Sequence, residues 1–216
     1  MEDPLDDYLS SIDKRSLKKP KLVINYIRDA YPIGIPALSI KSTTDRIGLD
    51  AGYSFHLGTP EPELRRIASW IFTHISHSEE IENIIGRLWK RFGREDLVLS
   101  SILLANLPDK EVDSNWKWIT LAELISHIEK KRGRIPLEVM LLHIEEMSRA
   151  DCSMIDENLA SKLLEGTIAE QYLGILGIHQ FSKKNNISNS VKEKLGNINL
   201  PDGDSLIRRI RNKTLE

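Results

Sequence analysis

Apolar residues recur at helical spacing along most of the chain, and polar caps, prolines and glycines punctuate them. Leu22, Val23, Tyr26, Ile27 and Ala30 make a first stripe, closed by Pro32, Gly34 and Pro36. From Thr59 onward the succession is regular. Thr59 as a cap, Pro60 in the first turn and Glu61 and Glu63 at the positive dipole end predict a helix whose stripe is Leu64, Ile67, Ala68 and Ile71. Ser78 opens a second helix with Ile81, Ile84, Ile85, Leu88 and Trp89, and after Gly93 a third carries Leu97, Val98, Ile102, Leu103 and Leu107 to Pro108. Residues 109–117 read as a polar connection. Thr120 and Glu123 then form a capping box ahead of Leu121, Leu124, Ile125 and Ile128, and Gly133 ends that helix. Pro136 starts another through Val139, Met140, Leu142 and Met147. Ser153 with Asp156, and Thr167 with Glu170, are further box-like starts, before Leu159 and Leu163 and before Leu173 and Leu176. Two short tail helices are centred on 191–195 and 206–210, joined by a loop with Pro201 and Gly203.

No period-two alternation competes with this pattern, so the predicted fold class is all-α. Antiparallel helix pairs of roughly 35 to 45 residues point to a HEAT-like α-solenoid, an ARM-type superhelix. A single domain over 1–216 is expected, with a less regular part at 1–58, repeats at 59–184 and C-terminal helices at 185–216. An irregular bundle carries the same 3.6-residue signal and stays open as an alternative. The opening acids Glu2, Asp3, Asp6, Asp7 and Asp13, followed by Lys14, Arg15, Lys18, Lys19 and Lys21, read as a short solvated helix. The stretch through Ser42, Thr43, Thr44, Gly48, Gly52 and Gly58 reads as irregular with some short helix.

The 30 Lys+Arg against 32 Asp+Glu in 216 residues exclude a uniformly basic coat but not a local basic face. One cysteine, Cys152, excludes an internal disulfide and a cysteine zinc site, and the acidic start is unlike a signal peptide. No apolar run approaches the ~20 residues of a membrane helix, so a cytoplasmic protein without a membrane partner is expected. Phosphate-loop, dinucleotide and zincin motifs are missing. His74 and His77, three apart, read as exposed helix-end histidines and lack a carboxylate at ligand spacing even if they share a helix face, so neither a metal nor a cofactor is expected. Basic residues cluster at helix ends: Arg87, Lys90, Arg91 and Arg94; Lys130, Lys131, Arg132 and Arg134; Arg208, Arg209, Arg211 and Lys213. Each cluster complements a helix dipole, and if helix pairs stack, the junction charges line up into a strip suited to a phosphate backbone. Trp70 and Trp89 sit on apolar stripes, whereas Trp116 and Trp118 flank Lys117 in the polar connection, either as a partly exposed stacking pair or as helix-start packing.

Several segments together resemble the bacterial DNA alkylation repair glycosylase family of the AlkD type, built from HEAT-like repeats. The run Phe55-His-Leu-Gly-Thr-Pro-Glu-Pro-Glu-Leu-Arg-Arg-Ile-Ala68 is similar to that family's aromatic-Gly loop leading into a helix that begins Glu-Leu-Arg-x-Ile-Ala. Leu88-Trp89 followed by Arg94-Glu95 is similar to its Leu-Trp and Arg-Glu at the same spacing. Cys152-Ser-Met-Ile-Asp156 falls where the family has Trp-Asp-x-Val-Asp, so Cys152 stands at the tryptophan position and Ser153 at the first aspartate. The resemblance covers roughly 55–184 of the chain. It implies double-stranded DNA as partner, excision of cationic N3- or N7-alkylated purines, and Asp156 as the catalytic carboxylate. With the basic strip of stacked helix junctions, Lys90, Arg91, Arg94, Lys130, Lys131, Arg132 and Arg134 are the expected DNA-binding residues. With the motif tryptophan replaced, the alternative is a non-catalytic helical-repeat scaffold that binds nucleic acid or a protein partner. In that case Asp156 is a helix cap and nothing more.

Overall fold

The computed structural model describes residues 3–33, 35, 52–110, 113–200 and 203–216. The expected short helix around Ser42 to Gly48 lies outside them. The described residues form eleven α-helices and one 3-10 helix, with no strand among them, so the chain is all-helical and compatible with an α-solenoid. Its contacts divide it into two compact units, Met1–Pro108 and Asp109–Glu216.

The first unit holds α1 (Pro4–Ser11), a 3-10 turn (Lys14–Lys18), α2 (Pro20–Ala30), α3 (Glu61–His74), α4 (Ser78–Arg91) and α5 (Arg94–Asn106). The predicted stripes of α3 and α4 are buried residue for residue, with Trp70 added to the first. In α5 every residue from Glu95 to Ala105 is buried, because this helix packs against both α3 and α4. Its serines survive that burial by donating backwards along the helix, Ser100 Oγ to Leu97 O at 2.9 Å and Ser101 Oγ to Val98 O at 2.7 Å. The acidic N-terminus is not merely solvated, contrary to its charge pattern. Asp3 caps α1, Leu5 and Leu9 are buried, and Arg66 of α3 gathers Asp3 and Asp6 at 2.8 and 2.7 Å.

The second unit holds α6 (Trp116–Arg132), α7 (Leu137–Arg149), α8 (Glu157–Leu164), α9 (Ile168–Ser182), α10 (Asn189–Asn197) and α11 (Leu206–Leu215). Three sequence expectations are corrected here. Helix α6 starts at Trp116, within the supposed polar connection, so Thr120 and Glu123 lie inside it and form no capping box. The α7 stripe runs Val139, Met140, His143, Ile144, Met147, with His143 fully buried where Leu142 was expected. The cap of α8 is Asp156 itself, not Ser153. The Thr167/Glu170 capping box forms as expected. Helix α9 is the second unit's interior, touching α6, α7, α8 and α11. Its Gly177 leaves room for Ile155 and Trp118, which a Cβ there would meet at 3.1 and 3.4 Å.

Between α4 and α5 the chain turns through Phe92 in the left-handed region (φ 60) and then Gly93, which lies against the face of the Phe55 ring. A Cβ at 93 would fall inside that ring. Gly93→Ala is therefore expected to displace Phe55 and cost about 1–3 kcal/mol, read as a lower midpoint in guanidinium unfolding.

Candidate functional site

The residues that carry the family resemblance in the first unit meet one another. Glu95, at the start of α5, is fully buried, and its Oε1 accepts from Leu57 N and Gly58 N, both at 2.8 Å. Arg94 N donates to Phe55 O at 3.0 Å and Ser54 N to Phe92 O at 2.9 Å, so the segment 54–58 is strapped across the α4–α5 turn. Beside it Asp96, also fully buried, accepts from Tyr31 Oη at 2.9 Å and faces Arg91 Nε at 3.2 Å. Burial pushes the Asp96 carboxyl up to about 6, against the pull of Arg91 and the Tyr31 hydroxyl. The same burial holds the Tyr31 hydroxyl well above its ordinary value. This constellation holds a loop to a helix start, while Glu95 Oε2 and His56 Nδ1 beside it are buried without a hydrogen-bond partner among the described residues.

That placement decides the fate of two predicted DNA contacts. Arg91 donates to Ile24 O at 3.1 Å, pairs with Asp96 and lies 5.3 Å over the Phe55 ring, so its guanidinium serves the interior. Arg94 is half-buried on the same turn, and Lys90 is exposed. In the second unit Lys130, Lys131, Arg132 and Arg134 are all exposed, around the left-handed Gly133 (φ 80) that closes α6. In the C-terminal cluster Arg208 and Arg211 donate to Leu200 O and Ile198 O, both at 3.0 Å, which commits them to the loop before α11.

Asp156 is half-buried at the start of α8, where Oδ1 accepts from Leu159 N at 2.7 Å. Its own N–H donates to Asn115 Oδ1 at 3.0 Å. The first turn of α6 is sewn to the same loop by Trp118 Nε1, donating to Ser153 O at 2.9 Å, and by Lys117 Nζ, 3.4 Å from Cys152 Sγ and 3.0 Å from Asp109 Oδ1. Trp118 is 2% exposed, so its face is closed to any base. Trp116 and Trp118 are thus helix-start packing, not a stacking platform. Burial raises the Cys152 thiol against the opposing effect of Lys117. The cavity beside Cys152, lined by Trp118, Met147, Ser153 and Lys183, is about 70 Å³. Small-molecule sites usually enclose roughly 300–1,000 Å³, so a nucleobase has no room there. Among the described residues no group of three or more His, Cys, Asp or Glu is placed to hold a metal. None of the described helices is long and apolar enough to cross a membrane.

Sequence reasoning overlooked a groove of about 660 Å³ in the second unit, lined on one side by Ile119, Ala122, Glu123, Ser126, His127 and Lys130 of α6. Leu159, Lys162 and Leu163 of α8 and the turn into α9 line the other side. Its signal was the second face of α6, where positions 119, 122, 123, 126, 127 and 130 recur at helical spacing behind the core stripe.

No protein-family model matches the chain, and no curated protein or solved structure matches it either.

Two of the buried titratable groups, Asp96 and His143, respond to pH in opposite directions. Folded Asp96 keeps its proton up to about 6, above the unfolded value near 3.8, so the first unit loses stability as pH rises through that window, by about 3 kcal/mol. Burial instead lowers His143 to about 4 from 6.5, so the second unit gains stability over that range, by about 3 kcal/mol. Urea unfolding from pH 4 to 7 should show the first trend abolished in Asp96→Asn and the second in His143→Gln.

Proposed function

We propose that the chain is a non-catalytic helical-repeat binding protein, a HEAT-like scaffold that grips the phosphate backbone of double-stranded DNA through the α6–α7 turn. The observation that carries this reading is the exposure of Lys130, Lys131, Arg132 and Arg134 within five consecutive positions around Gly133. Cations grouped in this way release counterions from a nucleic acid and read its backbone without reading sequence. In the first unit Lys90 stays exposed, whereas Arg91 beside it is turned inward and offers no phosphate contact.

Catalysis by Asp156 is disfavoured by its surroundings. One carboxylate oxygen is spent on the α8 amide, the tryptophan position of the motif holds Cys152, and Trp116 and Trp118 at the start of α6 are both buried, Trp118 donating to Ser153 O. Without an aromatic face the site lacks a source of about 0.5–2 kcal/mol of stabilisation for a cationic base. As a cap, Asp156 contributes about 1 kcal/mol to the fold.

Binding to duplex DNA should weaken with salt, and Lys131→Ala and Arg134→Ala should each lower the salt slope by about 1 without sequence preference. An affinity indifferent to salt sinks the reading. Release of 7-methylguanine or 3-methyladenine from alkylated duplex should be absent. Release that disappears in Asp156→Asn would establish a glycosylase instead. Asp156→Ala should lose roughly 0.5–2 kcal/mol of stability while keeping DNA affinity.

A further inference from the structure

The run of cations near the start of the first unit has no part in the DNA contact proposed above. Lys14, Arg15, Lys18, Lys19 and Lys21 are all exposed, and none of their side chains hydrogen-bonds, ion-pairs or stacks with another described residue. Their carrier is the 3-10 turn, which Asp13 caps by accepting from Arg15 N at 3.1 Å and Leu17 pins by its burial. Lys14 and Lys18 line a hollow of about 450 Å³, with His74 at the end of α3, Ser76 and His77 before α4, and Glu80 in its first turn.

Local electrostatics do not account for this run. Lys130, Lys131 and Arg132 sit in the last turn of α6, where they offset the negative end of the helix dipole. Lys19 is instead the N-cap of α2 and Lys21 lies in its first turn, beside the positive end, and no acid shares that turn. Five cations meet three acids of the adjoining turns, Asp13, Glu79 and Glu80, so the patch is net positive. The acids of α1 are drawn elsewhere. Arg66 holds Asp3 and Asp6, and Tyr8 reaches the far end of α2, donating to Tyr26 O at 3.3 Å. Local rules are broken in this way mainly at functional sites.

What the patch lacks selects its occupant. The large exposed apolar side chains among the described residues, Ile168 and Leu206, are both in the second unit, so nothing beside the patch can enter a membrane interface or bury the stripe of an acidic helix. Trp70, stacked on His74 at 5.4 Å, is buried and offers no face to an unstacked base. A duplex backbone needs only charge and reach. At about 2 Å per residue of 3-10 helix, Lys14 and Lys18 are about 8 Å apart along the turn, the rise of about two nucleotides of one strand at ~3.4 Å each.

We infer that the first unit holds a second contact for the phosphate backbone of double-stranded DNA, made by Lys14 and Lys18 with Arg15, Lys19 and Lys21 around them, and weakened by Glu80. The identity of the polyanion rests on the reading above. The site does not, since it shares no residue with the α6–α7 turn.

The test is a salt titration of a short fluorescein-labelled duplex, followed by anisotropy with the full chain. Lys14→Ala with Lys18→Ala should lower the salt slope by about 2, at ~0.9 for each phosphate released, and weaken binding at least about tenfold. Lys14→Arg with Lys18→Arg should keep the slope, and Glu80→Gln should tighten binding about two- to fivefold. Added to Lys131→Ala and Arg134→Ala, the alanine pair should bring the loss of slope to about 4. Its helical content should match the wild type, since both side chains are exposed. A slope unchanged in the 14/18 pair but lowered in Lys131→Ala and Arg134→Ala overturns this inference and leaves the α6–α7 reading standing. The reverse pattern upholds the inference and removes that reading. Affinity indifferent to salt overturns both. Phosphatidylserine vesicles bound by the wild-type chain and released by the 14/18 pair, with the DNA slope unchanged, would assign the patch to a membrane surface and equally overturn it.

Discussion

Two adjacent carboxylates enter the N-terminal unit at the first turn of α5, and carboxylates taken out of water have to be met by donors. Glu95 finds two backbone amides of the 54–58 segment, and Asp96 finds the Tyr31 hydroxyl and the Arg91 guanidinium. Each solution fixes something else. The amides hold the loop over the α4–α5 turn, where Phe55 lies on Gly93. The hydroxyl ties the end of α2 to α5, and Thr59 reinforces it by donating to Tyr31 O at 3.0 Å. Removing either acid would leave those donors buried and unmatched, which is why the arrangement behaves as one unit and not as a set of separate bonds.

The second unit solves a different problem, the exposed amides at helix starts. Asn115 receives the N–H of Asp156, Asp156 receives that of Leu159, and Glu129 receives that of Ala169. Side chains on α6 thus complete the ends of helices that follow it in the chain, and a single cap change there is felt at two elements.

The helices were legible because apolar spacing is a local property, and α3, α4 and α9 follow their stripes or caps closely. What was illegible depended on partners distant in sequence. Lys117 and Trp118 read as polar-connection residues because what buries them, Asp109 and the 152–153 loop, lies elsewhere in sequence. His143 passed as polar although the α7 stripe requires an apolar-facing side chain at 143; it survives burial by pairing Nδ1 with Val139 O at 2.7 Å. The basic clusters show the same limit. Arg91, Arg208 and Arg211 read as the same kind of basic cluster as Lys131 and Arg134, yet Arg208 and Arg211 fall in the first turn and middle of α11 and, like Arg91, serve carbonyls or a buried acid, while Lys131 and Arg134 stand in solvent. Glu95 stood out only as half of the Arg-Glu motif, and its burial and that of Asp96 depend on Leu57, Gly58 and Tyr31, far off in sequence.

Those long-range ties also set an order of events during synthesis. Tyr31 and Asp96 are 65 residues apart, Ile24 and Arg91 are 67 apart, and Asp3 and Arg66 are 63 apart. A nascent chain ending anywhere before residue 91 can form α1 to α4 but lacks both the acid that claims the Tyr31 hydroxyl and the guanidinium that claims the Ile24 carbonyl. The Asp3–Arg66 pair can form once α3 has emerged and the Ile24 carbonyl is met when α4 is complete, whereas the Tyr31 hydroxyl waits for Asp96 until α5 leaves the ribosome.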